Sequence, residues 1–283
     1  MKVHETLSSA GWASTGCPQG TVLGSVIFLL FIDQIQHVIQ EPVKFCIYAD
    51  DVKLVMKVND ERDQRIFQKT LDTFYLWSVK MGLKLSMHKC GVLHFGPRNG
   101  HFGYSLGNTI LSKINLVKDL GVRFSNSLTF SEHVVDVVRR CALICSWILR
   151  AFVLSSPSAY LKMYETHVVS LWMYASVVWN PIKCGDLELL QKLQNRFLRR
   201  VEFRCKLPRH CLELPTVADR MTKADMKQLR KIIRDEERFD DLFDIRYTTS
   251  RAGFVIKPKT QAKTQKINHL FPWRVTRIIN SSS

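Results

Sequence analysis

The run Val43-Lys44-Phe45-Cys46-Ile47-Tyr48-Ala49-Asp50-Asp51-Val52-Lys53-Leu54-Val55-Met56-Lys57-Val58 decides how this chain folds. Residues 43–47 and 52–58 both read as strands. Val52, Leu54 and Met56 alternate with Lys53, Val55 and Lys57, which predicts one apolar face and one partly basic face. Two strands joined by the short segment Tyr48-Ala49-Asp50-Asp51 make a hairpin with both carboxylates at its tip. Adjacent carboxylates repel each other, and burying them unpaired is costly. A divalent cation compensates directly. Mg²⁺ takes hard carboxylate oxygens, keeps several waters and is completed by substrate phosphates. Two such ions about 4 Å apart stabilise both the attacking and the leaving oxygen of a phosphoryl transfer. An Asp-Asp pair in a loop is also compatible with ordinary solvated turn residues, and the apolar strand leading into it raises the metal-binding reading without settling it.

Outward from the hairpin, strand patterns alternate with helical ones. Upstream, the turn cluster Gly16-Cys17-Pro18-Gln19-Gly20 precedes the apolar run Val22 to Ile32, too continuous for a surface element and predicted as a helix buried on most sides. That run is about half the length a bilayer span needs, and its Gly24 and Ser25 interrupt it, so no membrane partner is expected. Downstream, Ile66, Phe67, Leu71, Phe74, Trp77 and Met81 recur at helical spacing from Asp60, and Gly82 stops them. Residues 83–95 return to strand alternation, and a strand pair over 103–124 has Asp119-Leu120-Gly121-Val122 as its turn.

After residue 130 the pattern becomes helical. Ser131 is read as a cap for Val134 to Leu149, and Ser156-Pro157 opens a helix through Tyr174. Asp186 opens a third, with Leu187, Leu190, Leu193, Phe197 and Val201 on one face. A charged helix covers about 219–240. The tail after Arg251 is basic and loop-like, anchored by Phe271-Pro272-Trp273. Trp77, Trp147, Trp172 and Trp179 are expected in the core. The fold class is therefore α+β.

The net charge of +16, from 41 basic and 25 acidic residues, is unevenly placed. Residues 1–130 hold 14 basic and 10 acidic side chains, whereas 131–283 hold 27 and 15. Such a field favours a polyanion, nucleic acid or an anionic membrane face, over a neutral small molecule. Arg196, Arg199, Arg200, Arg204, Lys206 and Arg209 run beside Phe197 and Phe203, either as phosphate contacts or as a solvated helix face. The eight cysteines form no short secreted framework, and no signal peptide leads the chain, so reduced thiols and an intracellular protein, nuclear or cytoplasmic and not secreted, are expected. Neither Cys205, His210 and Cys211 nor His88, Cys90 and His94 has the spacing of a structural zinc site.

The order of these motifs resembles the reverse transcriptases of LINE-type (non-LTR) retrotransposons. Gly-Cys-Pro-Gln-Gly before an apolar helix, then Tyr-Ala-Asp-Asp on a hairpin, then a Lys89-Cys90 strand ending His94-Phe95-Gly96, follow that family's sequence. So do Asp119–Val122, Leu128–His133, Tyr174–Pro181, Leu190–Phe197 and Phe271–Val275. The resemblance implies a partial right-hand polymerase palm over 1–130, an antiparallel sheet with helices. A helical thumb-like and connection region over 131–250 and a basic tail over 251–283 would follow.

Roles follow from the same likeness. Asp50 and Asp51 match the catalytic pair that holds Mg²⁺ or Mn²⁺, Asp50 as the direct ligand, while Tyr48 and Ala49 shape the hairpin. Pro18, Gln19 and Gly20 match the motif that contacts template and incoming nucleotide. Lys89 can face the nucleotide's phosphates, or be a solvated strand lysine. Leu120 and Gly121 correspond to the primer grip, and Arg196, Arg199 and Arg200 to phosphate contacts. RNA template, DNA primer and dNTP are the implied partners. The family also carries a further catalytic aspartate before the Gly-Cys-Pro-Gln-Gly motif. The 15 residues preceding that motif here offer only Glu5, so a chain inactive on its own is expected, or a remnant that binds RNA or DNA without chemistry.

Overall fold

The computed structural model describes residues 2–3, 6–7, 16, 20–96, 99–153, 156–180, 183–234, 243–247, 254–258 and 272. The chain divides into two compact units, 1–114 and 115–283.

In the first unit, β1 (Lys2–Val3) pairs with β2 (Thr6–Leu7). Helix α1 (Val22–Ile32) starts where Thr21 Oγ1 accepts the Gly24 N–H at 3.1 Å. The helix forms as predicted, but its burial does not: only Gly24 and Ile32 are buried, while Val22 is 88% and Leu30 70% exposed. An all-apolar sequence permits burial, yet burial needs a covering element, and among the described residues none covers α1. A 3₁₀ turn, Asp33–His37, then carries Ile35 into the core ahead of Ile39 and Val43. Strands β3 (Lys44–Tyr48) and β4 (Asp51–Val55) pair antiparallel, Lys44 opposite Val55 and Tyr48 opposite Asp51. Phe45, Ile47, Val52 and Leu54 pack on the core, the apolar face the alternation predicts.

Helix α2 (Glu61–Lys80) is capped by Asp60, whose Oδ1 accepts the Asp63 N–H at 2.9 Å, and it stops before Gly82 at φ 69°. Leu71 and Phe74 bury its inner face. The strand predicted over 83–95 is reduced to β5 (Gly91–Leu93), because residues 83–86 have no pairing partner and Met87–Lys89 curl into a 3₁₀ turn. Short strands β6 (Ser105–Leu106), β7 (Thr109–Ile110) and β8 (Ser112–Ile114) complete the unit. The Gln68 amide on α2 clamps Ser105, accepting its N–H at 3.0 Å and donating to its carbonyl at 3.0 Å. Strand β8 runs parallel to β5, while β6 and β7 pair antiparallel. Among the described residues every ladder has two strands, so no continuous antiparallel sheet is built.

The second unit opens with the hairpin of β9 (Leu116–Asp119) and β10 (Val122–Ser125). Helix α3 (Ser131–Ala151) follows, with Phe130 at the cap position. The cap predicted for Ser131 is not made; its hydroxyl donates to Asp186 Oδ2 at 2.6 Å instead. Helix α4 (Pro157–Met163) is capped by Ser156 as predicted, and continues through a π-helical segment, Tyr164–Val169, into α5 (Ser170–Met173). Tyr160, Tyr164, Val168 and Trp172, spaced by four, are all buried. A short α6 (Ser176–Trp179) leads to α7 (Cys184–Arg204) and α8 (Val217–Arg234). Their shared core holds Val134, Ile148, Trp179, Leu190, Phe197, Val201 and Met221. Trp147, expected there, is 48% exposed on the outer face of α3.

Strand β11 (Phe243–Tyr247) pairs with β12 (Phe254–Pro258), so part of the segment expected to be loop-like is a strand. Pro272 is buried, while Phe271 and Trp273 lie outside the described residues. None of the seven described cysteines is in a disulfide, and burial pushes the Cys141 and Cys145 thiols up to about 12, as core thiols. Among the described residues no helix is long and apolar enough to cross a membrane.

Candidate functional site

Tyr48 and Asp51 close the last rung of the β3–β4 ladder, leaving Ala49 and Asp50 as a two-residue turn. Hairpins this tight need left-handed backbone, and Ala49 supplies it at φ 52°. The conformation costs a residue with a Cβ about 1–2 kcal/mol, and a small side chain limits the crowding. Tyr48 (64% exposed), Asp50 and Asp51 all stand out in solvent. Asp51 shares its strand face with Lys53 and, across the ladder, with Tyr48 and Cys46, while the opposite face packs on the core. The two carboxylates are adjacent in the chain, neither is in an ion pair among the described residues, and their hard oxygens are the donor type that Mg²⁺ and Mn²⁺ take. No third His, Cys, Asp or Glu joins them among the described residues.

The other expected residues of this unit are placed separately. Gly20 lies in the turn before Thr21 at φ 78°, which calls for glycine, whereas Pro18 and Gln19 fall outside the described residues. Lys89 is exposed at the end of the 3₁₀ turn, its N–H donating to the Ser86 carbonyl at 2.9 Å, and it precedes β5 instead of lying in a strand.

In the second unit Leu120 and Gly121 form the two-residue tip of the β9–β10 hairpin, with φ 43° and 87°. Tyr174 covers that tip, its hydroxyl donating to the Leu120 carbonyl at 3.0 Å. A Cβ on Gly121 would meet the Tyr174 ring at 3.2 Å. Trp179 holds Tyr174 in turn, its indole N–H donating to the Tyr174 carbonyl at 2.7 Å. The buried His133 ring packs edge-on against Trp179, centroids 5.1 Å apart, and its Nδ1 accepts the Arg123 N–H at 3.3 Å. Burial, with Arg140 next, pulls the His133 imidazole down to about 4. Residue 133 and the segment 174–179 thus brace the 119–123 hairpin. Sequence reading missed this knot, because its members have no common spacing.

Arg196, Arg199 and Arg200 are exposed on α7 and line a cleft of about 1190 Å³ facing α3. Arg150, Phe203 and Arg204 line it too. Arg150 was invisible in the sequence because it belongs to the other helix.

Residues 4–125 match the family model described as reverse transcriptase (RNA-dependent DNA polymerase). Over that stretch the chain is similar to reverse transcriptases. The chain is also similar to RNA-directed DNA polymerases of mobile elements of LINE (non-LTR) type. It is 23% identical over 235 residues to the RNA-directed DNA polymerase from mobile element jockey of Drosophila melanogaster, covering 77% of this chain and 26% of that protein. The jockey polymerase of Drosophila funebris is 27% identical over 207 residues, 69% of this chain and 22% of the relative. The probable RNA-directed DNA polymerase from transposon X-element of Drosophila melanogaster is 23% identical over 258 residues, 84% and 28%. The chain thus spans about a quarter of the length of these relatives. No solved structure matches.

Proposed function

We propose that this chain is the palm and thumb portion of a non-LTR reverse transcriptase, whose parent reaction is RNA-directed DNA polymerisation on an RNA template with a DNA primer and dNTPs. The exposed Asp50–Asp51 pair on a two-residue hairpin turn carries the reading. A divalent metal held there would stabilise charge developing on the transferred phosphate. In this reading Asp50, within the turn, is the direct ligand, and Asp51 adds charge beside it. Tyr48 and Ala49 set the height and tightness of the turn. Gly20 with Pro18 and Gln19 contacts template and nucleotide, Lys89 faces the nucleotide's phosphates, and Leu120 and Gly121 steady the primer.

Two carboxylates are one part of a two-metal site, and no third joins them among the described residues. The chain by itself is therefore expected not to extend a primer unless a further carboxylate is supplied. The site is tested without activity by titrating Mn²⁺ and following its paramagnetic resonance. Binding should be lost in an Asp50→Ala, Asp51→Ala double variant; equal affinity in both proteins overturns the assignment. Any primer extension on an RNA template with Mg²⁺ or Mn²⁺ must also vanish in Asp50→Ala. A second reading, a remnant that holds RNA or DNA without chemistry, is favoured by the cationic cleft of the second unit. It predicts affinity that falls steeply with salt and ignores Asp50.

A further inference from the structure

The stripe Lys192, Arg196, Arg199, Arg200, Phe203 and Arg204 recurs at three- and four-residue spacing, so it occupies one side of α7. From Lys192 to Arg204 it runs about 18 Å along the axis at the rise of an α-helix, the span of about five nucleotides at stacked spacing. Arg150, Ser146 and Leu149 of α3 form the opposite wall, and no acidic residue lines the cleft. Crowding like charges is unfavourable unless something neutralises them, and the chain itself does little of this. Lys192 pairs with Glu188 at 3.1 Å. Arg199 Nε donates to the Asn195 carbonyl at 3.2 Å. Arg204 is tied to the Leu149 carbonyl at the end of α3, which makes it a fixed wall of the cleft. Arg150, Arg196, Arg200 and Lys206 have no carboxylate partner among the described residues.

Phe203 decides what fits. It is 88% exposed between these cations, whereas the other aromatic of the helix, Phe197, is buried and stacked on Tyr164 with centroids 4.7 Å apart. An open aromatic ring in a cationic groove is a platform for an unpaired base. Only an unpaired strand can lay a base face on that ring. A duplex could offer only its phosphates to the rim, since its base faces are stacked inside.

We infer that the cleft between α3 and α7 binds a single-stranded stretch of nucleic acid without base preference, its phosphates on Arg150, Arg196 and Arg200 and one base on Phe203. The inference rests on the reading of this chain as one that handles nucleic acid, and adds to it a site for the unpaired strand.

The test is fluorescence anisotropy of the full chain with a labelled ten-nucleotide oligouridylate and with a ten-base-pair RNA duplex, from 50 to 200 mM salt. The single strand should bind at least fivefold tighter than the duplex. Phe203→Ala should weaken it about fivefold or more while changing the duplex less than twofold, and Phe203→Trp should restore it. Removing two cations with Arg150→Gln and Arg196→Gln should lower the salt slope for the single strand by about 1.4. Equal binding of duplex and single strand, indifferent to Phe203, overturns the cleft assignment and leaves the nucleic-acid reading standing. Binding of neither nucleic acid overturns both. Phosphatidylserine vesicles or a polyglutamate peptide that displace the oligonucleotide from a Phe203-insensitive site likewise overturn it, in favour of a membrane or an acidic partner.

Discussion

Acidification should loosen the second unit through His133. The imidazole is buried between the start of α3, β10 and Trp179, with Nδ1 already accepting the Arg123 N–H at 3.3 Å. A proton on that nitrogen would break the hydrogen bond and place a cation beside Arg123, Arg140 and Lys118, offset only by Asp136. Folding therefore lowers the histidine from 6.5 to about 4. The unfolded chain takes up the proton first, so the contribution of neutral His133 is complete above about pH 6.5 and is lost as pH falls towards 4. By linkage the loss is about 2 kcal/mol at pH 5 and about 3 kcal/mol when complete. Urea unfolding followed by tryptophan fluorescence at pH 7, 6, 5 and 4.5 reads it. His133→Asn keeps an acceptor for Arg123 but cannot take the proton, so its midpoints should fall less across this range. Wild type and His133→Asn losing stability in parallel would refute the reasoning, because carboxylates elsewhere would then carry the whole effect.

Other outcomes follow from the same hairpin and from the helix start. Gly121→Ala meets both a positive φ of 87° and the Tyr174 ring, and should cost about 1–2 kcal/mol; a melting temperature lower by roughly 2–8 °C checks it, with Gly121→Asn milder. Ser131→Ala removes the donor to Asp186 and should destabilise by about 1 kcal/mol. Little change on adding Ser131→Ala to Asp186→Ala, measured by urea midpoints, would show that the two act as a pair.

The parts of the fold written in one stretch of sequence were legible. The Val52-Leu54-Met56 alternation faces the core, Ser156 caps its helix, and Gly82 ends α2. What was not legible depends on partners. The apolar run of α1 says that burial would be favourable, but not what is there to provide it. Leu83 and Leu85 alternate as a strand should, yet no neighbour pairs with them. Ser131 satisfies every local rule for a cap and is claimed by Asp186, 55 residues away. The carboxylate pair was readable because one hairpin holds it whole. The knot around Leu120 and the far wall of the cleft belong to packing between distant segments, which no spacing records.

The π-helical segment between α4 and α5 has a consequence for chain length. Stepping by four residues overshoots a 3.6-residue turn by about 40° each time, so Tyr160, Tyr164, Val168 and Trp172 should spiral off the core face by about 120°. They stay on it because the wide turn at Tyr164–Val169 absorbs the surplus. That turn is a slack loop in an otherwise taut rod. A residue lost there is taken from the slack, and Trp172 still reaches the core; a residue lost from α3 would swing everything beyond it through about 100°.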